Sequence, residues 1–428
     1  MELYIHIPFC VKKCRYCDFL SFPKQAEGTV KEYIDALCRE LEVISGLPHF
    51  RNLKTCFIGG GTPSCITSYE FEKILRCVKE NFSFEKDYEY SIECNPGTLT
   101  EQKLEMYREY GINRLSLGLQ SDNDQRLKSL GRIHNYADFL ESYVMARRAG
   151  FRNINIDLMS AIPDQTLQEW KHTLENICKL QPEHISAYSL IIEPGTPLYE
   201  QYNVDPEALH LPDEDEEREM YHVTETILAE YGYHRYEISN YALKGMECRH
   251  NLGYWTGEPY YGAGLGASSY LPEEVYDGLN REKLSEQTGE TSTEGLKDKN
   301  RMVRFKNTSQ MREYLRKYVL DKREELYVGM KPDGIEPLQR ESVEENYTET
   351  EYLDKADMMS EYCILGLRTC RGISEAEFLN RFGENLYDTF GTILEKYLKN
   401  GFLAKEGDRI YFTSKGFDVS NTILCEFM

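Results

Sequence analysis

The sequence lacks any apolar run long enough to cross a membrane. No uninterrupted apolar stretch reaches the roughly 18 residues that a membrane span requires. The N-terminus also lacks a charged-then-apolar leader with a small-residue cleavage site. We therefore expect a cytoplasmic protein without a transmembrane segment. The chain shows no repeat at a fixed period, and its 428 residues, 41% of them hydrophobic, predict one large domain plus a smaller one.

An excess of positive charge is also missing. The chain has 72 acidic and 50 basic residues, which gives a formal net charge of -22. This excess of negative charge disfavours electrostatic binding to the phosphates of nucleic acids, so we expect no nucleic-acid partner. An RNA-modifying enzyme is disfavoured for the same reason. The thirteen cysteines are an odd number scattered over the whole chain, which favours reduced thiols or metal ligands over a disulfide framework.

Short apolar strands alternate with longer helical patterns up to about residue 200. The strand candidates are ELYIHI, KTCFIGG, YEYSIECN, RLSLGLQ, NINIDLM and HISAYSLII. This alternation, repeated about six times, predicts an α/β fold with a parallel sheet wrapped by helices. Reactive groups collect at the carboxyl ends of such strands. The strands here end in a cysteine loop, GGGTP, Glu93, GLQS, Asp157 and EPGTP.

The composition changes beyond residue 205. The acidic run PDEDEERE predicts a helix start in residues 206–285, and residues 286–350 form a polar charged region that predicts solvated helices and loops. Residues 351–428 regain an apolar pattern, with Ser374 and Glu377 spaced as a capping box and a later hairpin with EGDR as its turn. We predict a C-terminal winged-helix-like α+β module there, which packs or pairs and does not bind DNA.

Three cysteines follow the first predicted strand at C-x3-C-x2-C spacing: Cys10, Cys14 and Cys17. A structural zinc ion prefers four ligands, and the local alternatives for a fourth are His6 and Asp18. A 4Fe-4S cube offers a different solution, because three thiolates hold three irons and the fourth iron stays open for a small chelating ligand. Spacing alone leaves unliganded cysteines and zinc as alternatives.

The segment HIPFCVKKCRYCDF resembles the cluster loop of radical S-adenosylmethionine (SAM) proteins. The resemblance is to the group that includes the oxygen-independent coproporphyrinogen oxidases and the HemW-type haem chaperones. It implies a partial (β/α)6 TIM-like barrel over residues 1–205, a 4Fe-4S cluster on the three cysteines, and SAM on the open iron. The matching positions for SAM contacts are Tyr4, Tyr16, Gly60, Gly61, Thr62, Glu93, Gln120, Arg132 and Asp157. Taken singly, a glycine-rich turn or an isolated carboxylate more often has a purely structural role.

Two features favour the chaperone branch over the oxidases. The oxidases carry a further cysteine where this chain has Phe19, and an extension ahead of the first strand, whereas this chain begins with the strand itself. The segment CRHNLGYW, residues 248 to 255, resembles the H-N-x-x-Y-W motif associated with haem binding in the chaperone branch. A neutral imidazole is a good haem ligand, and Tyr254 and Trp255 offer flat apolar area. We expect His250 to ligate haem; the alternatives are a hydrogen-bonded structural histidine and, less favoured, ligation by Cys248.

The resemblance implies a haem carrier that delivers haem to membrane haem proteins such as respiratory enzymes. It also implies a homodimer, for which the C-terminal module is a candidate surface. No catalytic residue is assigned. The alternative is a radical SAM enzyme of tetrapyrrole metabolism, either the oxidase or a haem-degrading methyltransferase relative, which would keep every SAM residue named above.

Overall fold

The computed structural model describes residues 1–23, 25–279, 301–320 and 347–428. The strands are β1 (Glu2–Ile7), β2 (Phe9–Cys10), β3 (Phe22–Pro23), β4 (Asn52–Gly60), β5 (Ser83–Cys94), β6 (Arg114–Gln120), β7 (Ile154–Ser160), β8 (His184–Ser189), β9 (His234–Arg235), β10 (Asn240–Ala242), β11 (Tyr260–Ala263), β12 (Ser268–Pro272), β13 (Met302–Lys306), β14 (Thr348–Leu353), β15 (Ile373–Ser374), β16 (Leu403–Glu406) and β17 (Arg409–Phe412).

The helices alternate with these strands in the first half of the chain. They are α1 (Glu27–Ser45), α2 (Ser68–Asn81), α3 (Glu101–Glu109), α4 (Asp124–Ser129), α5 (Tyr136–Arg148), α6 (Leu167–Lys179), α7 (Pro197–Val204), α8 (Glu214–Glu230), α9 (Arg249–Thr256), α10 (Met311–Leu315), α11 (Lys355–Gly366), α12 (Glu375–Phe382), α13 (Leu386–Lys399), α14 (Ser414–Asp418) and α15 (Ser420–Leu424).

The predicted α/β partial barrel is confirmed. β1, β4, β5, β6, β7 and β8 are neighbours in one sheet and run parallel. The parallel set is one strand longer than the six-fold alternation predicts, because β11 pairs parallel with β1. This strand was missed because it lies in a glycine- and tyrosine-rich stretch that lacks a continuous apolar run.

The segment after residue 205 contributes to both edges of the sheet. β9 and β10 continue it antiparallel beyond β8, whereas β11 and β12 extend it beyond β1. The prediction of solvated helices and loops for residues 286–350 is wrong at β13, which pairs with β12 and buries Val303 and Phe305. Residues 286–300 and 321–346 of that predicted region lie outside the described residues.

The alternation of side chains along each strand separates two environments. In β1, Leu3, Ile5 and Ile7 are fully buried in the main apolar core. Each such side chain stabilises the fold by about 1.5–3 kcal/mol relative to an exposed one. The intervening Glu2, Tyr4 and His6 therefore point to the opposite face, the barrel interior. That interior is polar, and it is where the predicted site residues lie.

The C-terminal module has its own apolar core and a small antiparallel sheet in the order β15-β17-β16. Helix α11, a short strand, helices α12 and α13 and the β16-β17 hairpin follow in the order of a winged helix. The Ser374 hydroxyl caps α12 by accepting from the Glu377 backbone N-H at 3.0 Å. The Glu377 carboxylate accepts from Arg371 and Arg409, so the cap does not form the reciprocal bond of a capping box.

Candidate functional site

The three cysteines lie at the carboxyl end of the barrel strands. Cys10 ends β2, directly after β1, and Cys14 and Cys17 follow in the next loop. All three are free thiols and half-buried. Within the described ranges, no three His, Cys, Asp or Glu side chains converge on a point that could hold a single metal ion.

The GGGTP loop after β4 packs closely against the cysteine loop. A Cβ added at Gly61 would lie 3.0 Å from the Cys10 sulfur and 2.7 Å from the Phe9 carbonyl oxygen. Gly60 has a φ of +110°, and a Cβ there would lie 2.5 Å from the His6 ring. Glycine is therefore required at both positions, by close approach at the first and also by backbone conformation at the second.

Side chains of the GGGTP loop and of the loop after α4 contact the thiols. The Thr62 hydroxyl donates to the Cys10 sulfur at 3.5 Å, and Arg132 Nη1 donates to the Cys14 sulfur at 3.6 Å. Asn95, at the end of β5, accepts from Arg132 at 2.7 Å and donates to Thr62 at 2.8 Å. The sequence prediction missed Asn95; its position one residue after a strand end, within ECNP, was the available signal.

Of three predicted SAM contacts on the strands, Glu93 and Gln120 lie at the carboxyl ends of β5 and β6, whereas Asp157 lies in the middle of β7 and not at its end as predicted. Glu93 accepts from the Gly60 backbone N-H at 3.0 Å, and Asp157 accepts from Ser116 at 3.1 Å and from Asn155 at 2.7 Å. Burial, together with the Asp157 carboxylate, raises the pKa of Glu93 to about 8. Burial also raises the pKa of Asp157. Gln120 ends β6 with a φ of 76°, an unusual conformation for a non-glycine residue.

Tyr4, which precedes the cysteine loop, and Tyr16, which lies within it, have different surroundings. Tyr4 donates to His6 Nδ1 at 3.0 Å and its ring stacks at 6.3 Å from Phe57. Tyr16 packs beside a separate apolar cluster that includes Leu130. His6 also donates from Nε2 to the Leu20 carbonyl at 2.9 Å. Both ring nitrogens of His6 have protein partners, so the imidazole could serve as a fourth metal ligand only if one of these hydrogen bonds broke.

A cavity opens beside the cysteines at this end of the barrel. Among its lining residues are Val11, Cys14, Thr62, Asn95 and Arg132. Cys14, Thr62 of the GGGTP loop and Arg132 therefore meet at one pocket.

His250 lies at the opposite end of the barrel. Its Nδ1 is 2.7 Å from the Thr55 hydroxyl oxygen and its Nε2 is 2.9 Å from the Tyr254 hydroxyl oxygen. The ring stacks on Phe57 at 5.2 Å and is 1% exposed. Thr55 pairs in register with Glu2, near the amino ends of β4 and β1. Burial and the Arg114 guanidinium lower the pKa of His250 to about 3, so the imidazole is neutral.

Helix α9 closes this amino end of the barrel. The buried Glu89 carboxylate accepts from the backbone N-H groups of Arg249 and His250 at 2.9 and 3.2 Å, as expected for an anion at a helix N-terminus. A side chain at Gly253 would collide with the Glu2 carboxylate, which lies against the helix. Burial and the Glu258 carboxylate raise the pKa of Glu2 to about 8.

Trp255 of the same motif lies outside the barrel. It lines a groove with Tyr270, Met358, Tyr362 and Arg381, where α9 meets the C-terminal module. His250 is not among the residues that line this groove. The structure therefore does not bring Trp255 and the His250 imidazole together in one open site.

The chain is similar to known proteins in both sequence and structure. The radical SAM superfamily pattern matches residues 4–177, and the HemN C-terminal domain pattern matches residues 353–419. The heme chaperone HemW of Bacillus subtilis is 32% identical over 426 residues, covering 99% of this chain and 98% of that protein. The chain belongs to the HemW family. The HemW of Escherichia coli is 38% identical over 267 residues, covering 62% of this chain and 69% of its own.

The solved structure of the coproporphyrinogen III oxidase HemN of Escherichia coli shares this fold. The TM-score is 0.76 at 21% identity, with 100% of this chain and 89% of the other covered. No helix in the described parts of the chain is long and apolar enough to span a bilayer.

The cysteine loop fits the cluster that the radical SAM superfamily implies. Three half-buried thiols belong to one loop, a glycine contacts one of them, and a partly buried guanidinium lies beside another. This donor set carries compensating positive charge close to the thiolates, as a buried anionic centre requires. Bound at Cys10, Cys14 and Cys17, the cluster would supply one-electron chemistry; the residues described above would orient it and shield it from water.

Proposed function

We propose that this protein is a haem carrier that holds a 4Fe-4S cluster and SAM at the carboxyl end of its barrel and delivers haem to membrane haem proteins, such as respiratory enzymes. The observation that carries the proposal is full-length similarity to proteins named heme chaperone HemW. The pocket formed by the cysteine loop, the GGGTP loop and Arg132 supports cluster and SAM binding. Cytoplasmic location and a homodimer belong to the same proposal.

Haem ligation by His250 is part of this proposal, and the structure sets a condition on it. Both imidazole nitrogens are already hydrogen-bonded, and the ring is buried between α9, which carries it, and Phe57 of β4. Haem iron can reach Nε2 only if the Tyr254 hydroxyl is displaced and α9 moves away from the barrel end. We therefore propose that haem binding opens α9, which would bring His250 and Trp255 to one surface.

The test is a haem titration of anaerobically purified protein, followed by recovery of the haem. We expect a defined Soret band and unmodified haem, with a shifted band or weaker binding in His250→Ala. Loss of the macrocycle during incubation with SAM and a reductant would contradict a carrier. Equal spectra and affinities for wild type and His250→Ala would remove His250 from the haem site.

The alternative function is an oxygen-independent coproporphyrinogen oxidase, favoured by the structural likeness to HemN. An oxidase would convert coproporphyrinogen III with stoichiometric SAM cleavage. Protein with a reconstituted cluster should form no protoporphyrinogen under anaerobic reducing conditions if it is a carrier. Clear turnover would move the chain to the oxidase function.

A further inference from the structure

A chain of three side chains joins two of the three thiols in the cysteine loop. Thr62 donates to Cys10, Asn95 donates to Thr62, Arg132 donates to Asn95, and Arg132 also donates to Cys14. The donor-acceptor distances are 3.5, 2.8, 2.7 and 3.6 Å in that order. The chain therefore begins and ends on sulfur, with one amide at its centre.

The chemistry of the amide fixes the direction of every proton in this chain. A guanidinium can only donate, so the amide oxygen of Asn95 must face Arg132 and its NH2 group must face Thr62. The Thr62 oxygen then accepts from Asn95, which leaves its own proton for the Cys10 sulfur. The Asn95 backbone is held in place, since its N-H donates to Ser64 at 3.1 Å and its carbonyl accepts from Thr98 at 2.7 Å.

We propose that Asn95 is a positioning residue that holds the Thr62 hydroxyl and the Arg132 guanidinium against two cluster thiolates and so raises the reduction potential of the cluster. The inference rests on the proposed 4Fe-4S cluster. Hydrogen bonds to ligand sulfurs favour the reduced, more negative form of an iron-sulfur centre, and they are one of the main determinants of its potential. Removing either donor should therefore make the midpoint potential more negative.

The experiment is a dithionite titration of anaerobically reconstituted protein, followed by electron paramagnetic resonance. Dithionite supplies the single electron that the cluster gains, and SAM is omitted, so that a lost SAM contact cannot shift the result. Iron and sulfide contents are measured on every sample. Thr62→Val removes the hydroxyl at constant size, whereas Thr62→Ser keeps it. Asn95→Asp replaces the NH2 group with an acceptor that takes the Thr62 proton away from sulfur.

We expect Thr62→Val and Asn95→Asp to have more negative midpoints than wild type at unchanged iron content. Thr62→Ser should keep the wild-type midpoint. So should Thr173→Val, which alters a buried threonine whose hydroxyl donates to the Asp122 carboxylate. The double variant Thr62→Val with Asn95→Asp should shift by less than the sum of the single shifts, because Asn95 acts partly through Thr62.

Wild-type midpoints in both Thr62→Val and Asn95→Asp, at full iron content, overturn the inference while leaving the cluster itself intact. If Asn95→Asp takes up no cluster, the test rests on the midpoints of Thr62→Val and Thr62→Ser, and a wild-type midpoint in Thr62→Val then overturns the inference. A wild-type protein that takes up no iron overturns the proposed cluster, and this inference with it.

Discussion

Replacing His250 with alanine should destabilise the whole fold, in addition to any effect on haem. The imidazole fills a fully buried site between Phe57, Thr55 and Tyr254. Its removal leaves a cavity and two hydroxyl groups without their partner. Loss of a large buried ring costs about 3–5 kcal/mol, and each buried polar group left unpaired costs about 1–3 kcal/mol. Because the cavity and the freed hydroxyls can be partly relieved by water, we expect a net loss of about 3–5 kcal/mol in the free energy of unfolding.

Urea unfolding of apo protein, followed by tryptophan fluorescence, measures this loss. Tyr254→Phe is the matched control, since it removes one hydrogen bond and no volume, with an expected cost of about 1 kcal/mol. Thr55→Val tests the opening of α9, because the hydrogen bond between the Thr55 hydroxyl and His250 Nδ1 joins β4 to α9. If that bond helps to keep α9 closed, its loss raises the open fraction, and haem should bind about fivefold more tightly. A loss below about 1 kcal/mol in the free energy of unfolding of His250→Ala would refute a buried imidazole with two hydrogen-bond partners.

Two further predictions concern the cysteines and Glu2. Alanine at Cys10, Cys14 or Cys17 should abolish the visible iron-sulfur absorbance after anaerobic reconstitution. The control Cys65→Ser should retain that absorbance, because the Cys65 thiol contacts the Phe9 carbonyl at 3.5 Å. A full cluster in all three alanine variants would refute the ligand set. Glu2 has a raised pKa of about 8, so its neutral form stabilises the fold at low pH and that contribution is lost as pH rises toward 8. Between pH 6 and pH 8, the free energy of unfolding of Glu2→Gln should thus rise by about 2 kcal/mol relative to that of wild type, as measured by denaturant titrations. If the free energies of unfolding of the two proteins change in parallel with pH, Glu2 is already ionised at pH 6.

The strands that carry the site could be predicted because each one is a short β-rich segment in which apolar residues recur, with an informative residue at or near its end. ELYIHI matches β1 residue for residue, and RLSLGLQ matches β6. Helix limits were also predictable from caps, as in the acidic run before α8, where Asp213 and Glu216 form a capping box. These signals depend on neighbours within one turn or one strand, so a single sequence contains them.

Features that depend on distant pairing could not be predicted in the same way. β13 lies in a polar region, and only its pairing with β12 and β14 identifies it as a strand. Asn95 acquires its role from contacts with Thr62 and Arg132, which are 33 and 37 residues away. His250 and Trp255 belong to one sequence motif, but the fold directs the His250 side chain into the barrel and the Trp255 side chain toward the C-terminal module.

The most direct test of the account is elemental and acid-labile sulfide analysis of protein purified without oxygen, together with its spectrum after SAM addition. We predict iron and sulfide in equal amounts, bound through the three cysteines, and an altered paramagnetic signal of the reduced centre when SAM binds. Zinc in place of iron, or protein with neither metal, would contradict it.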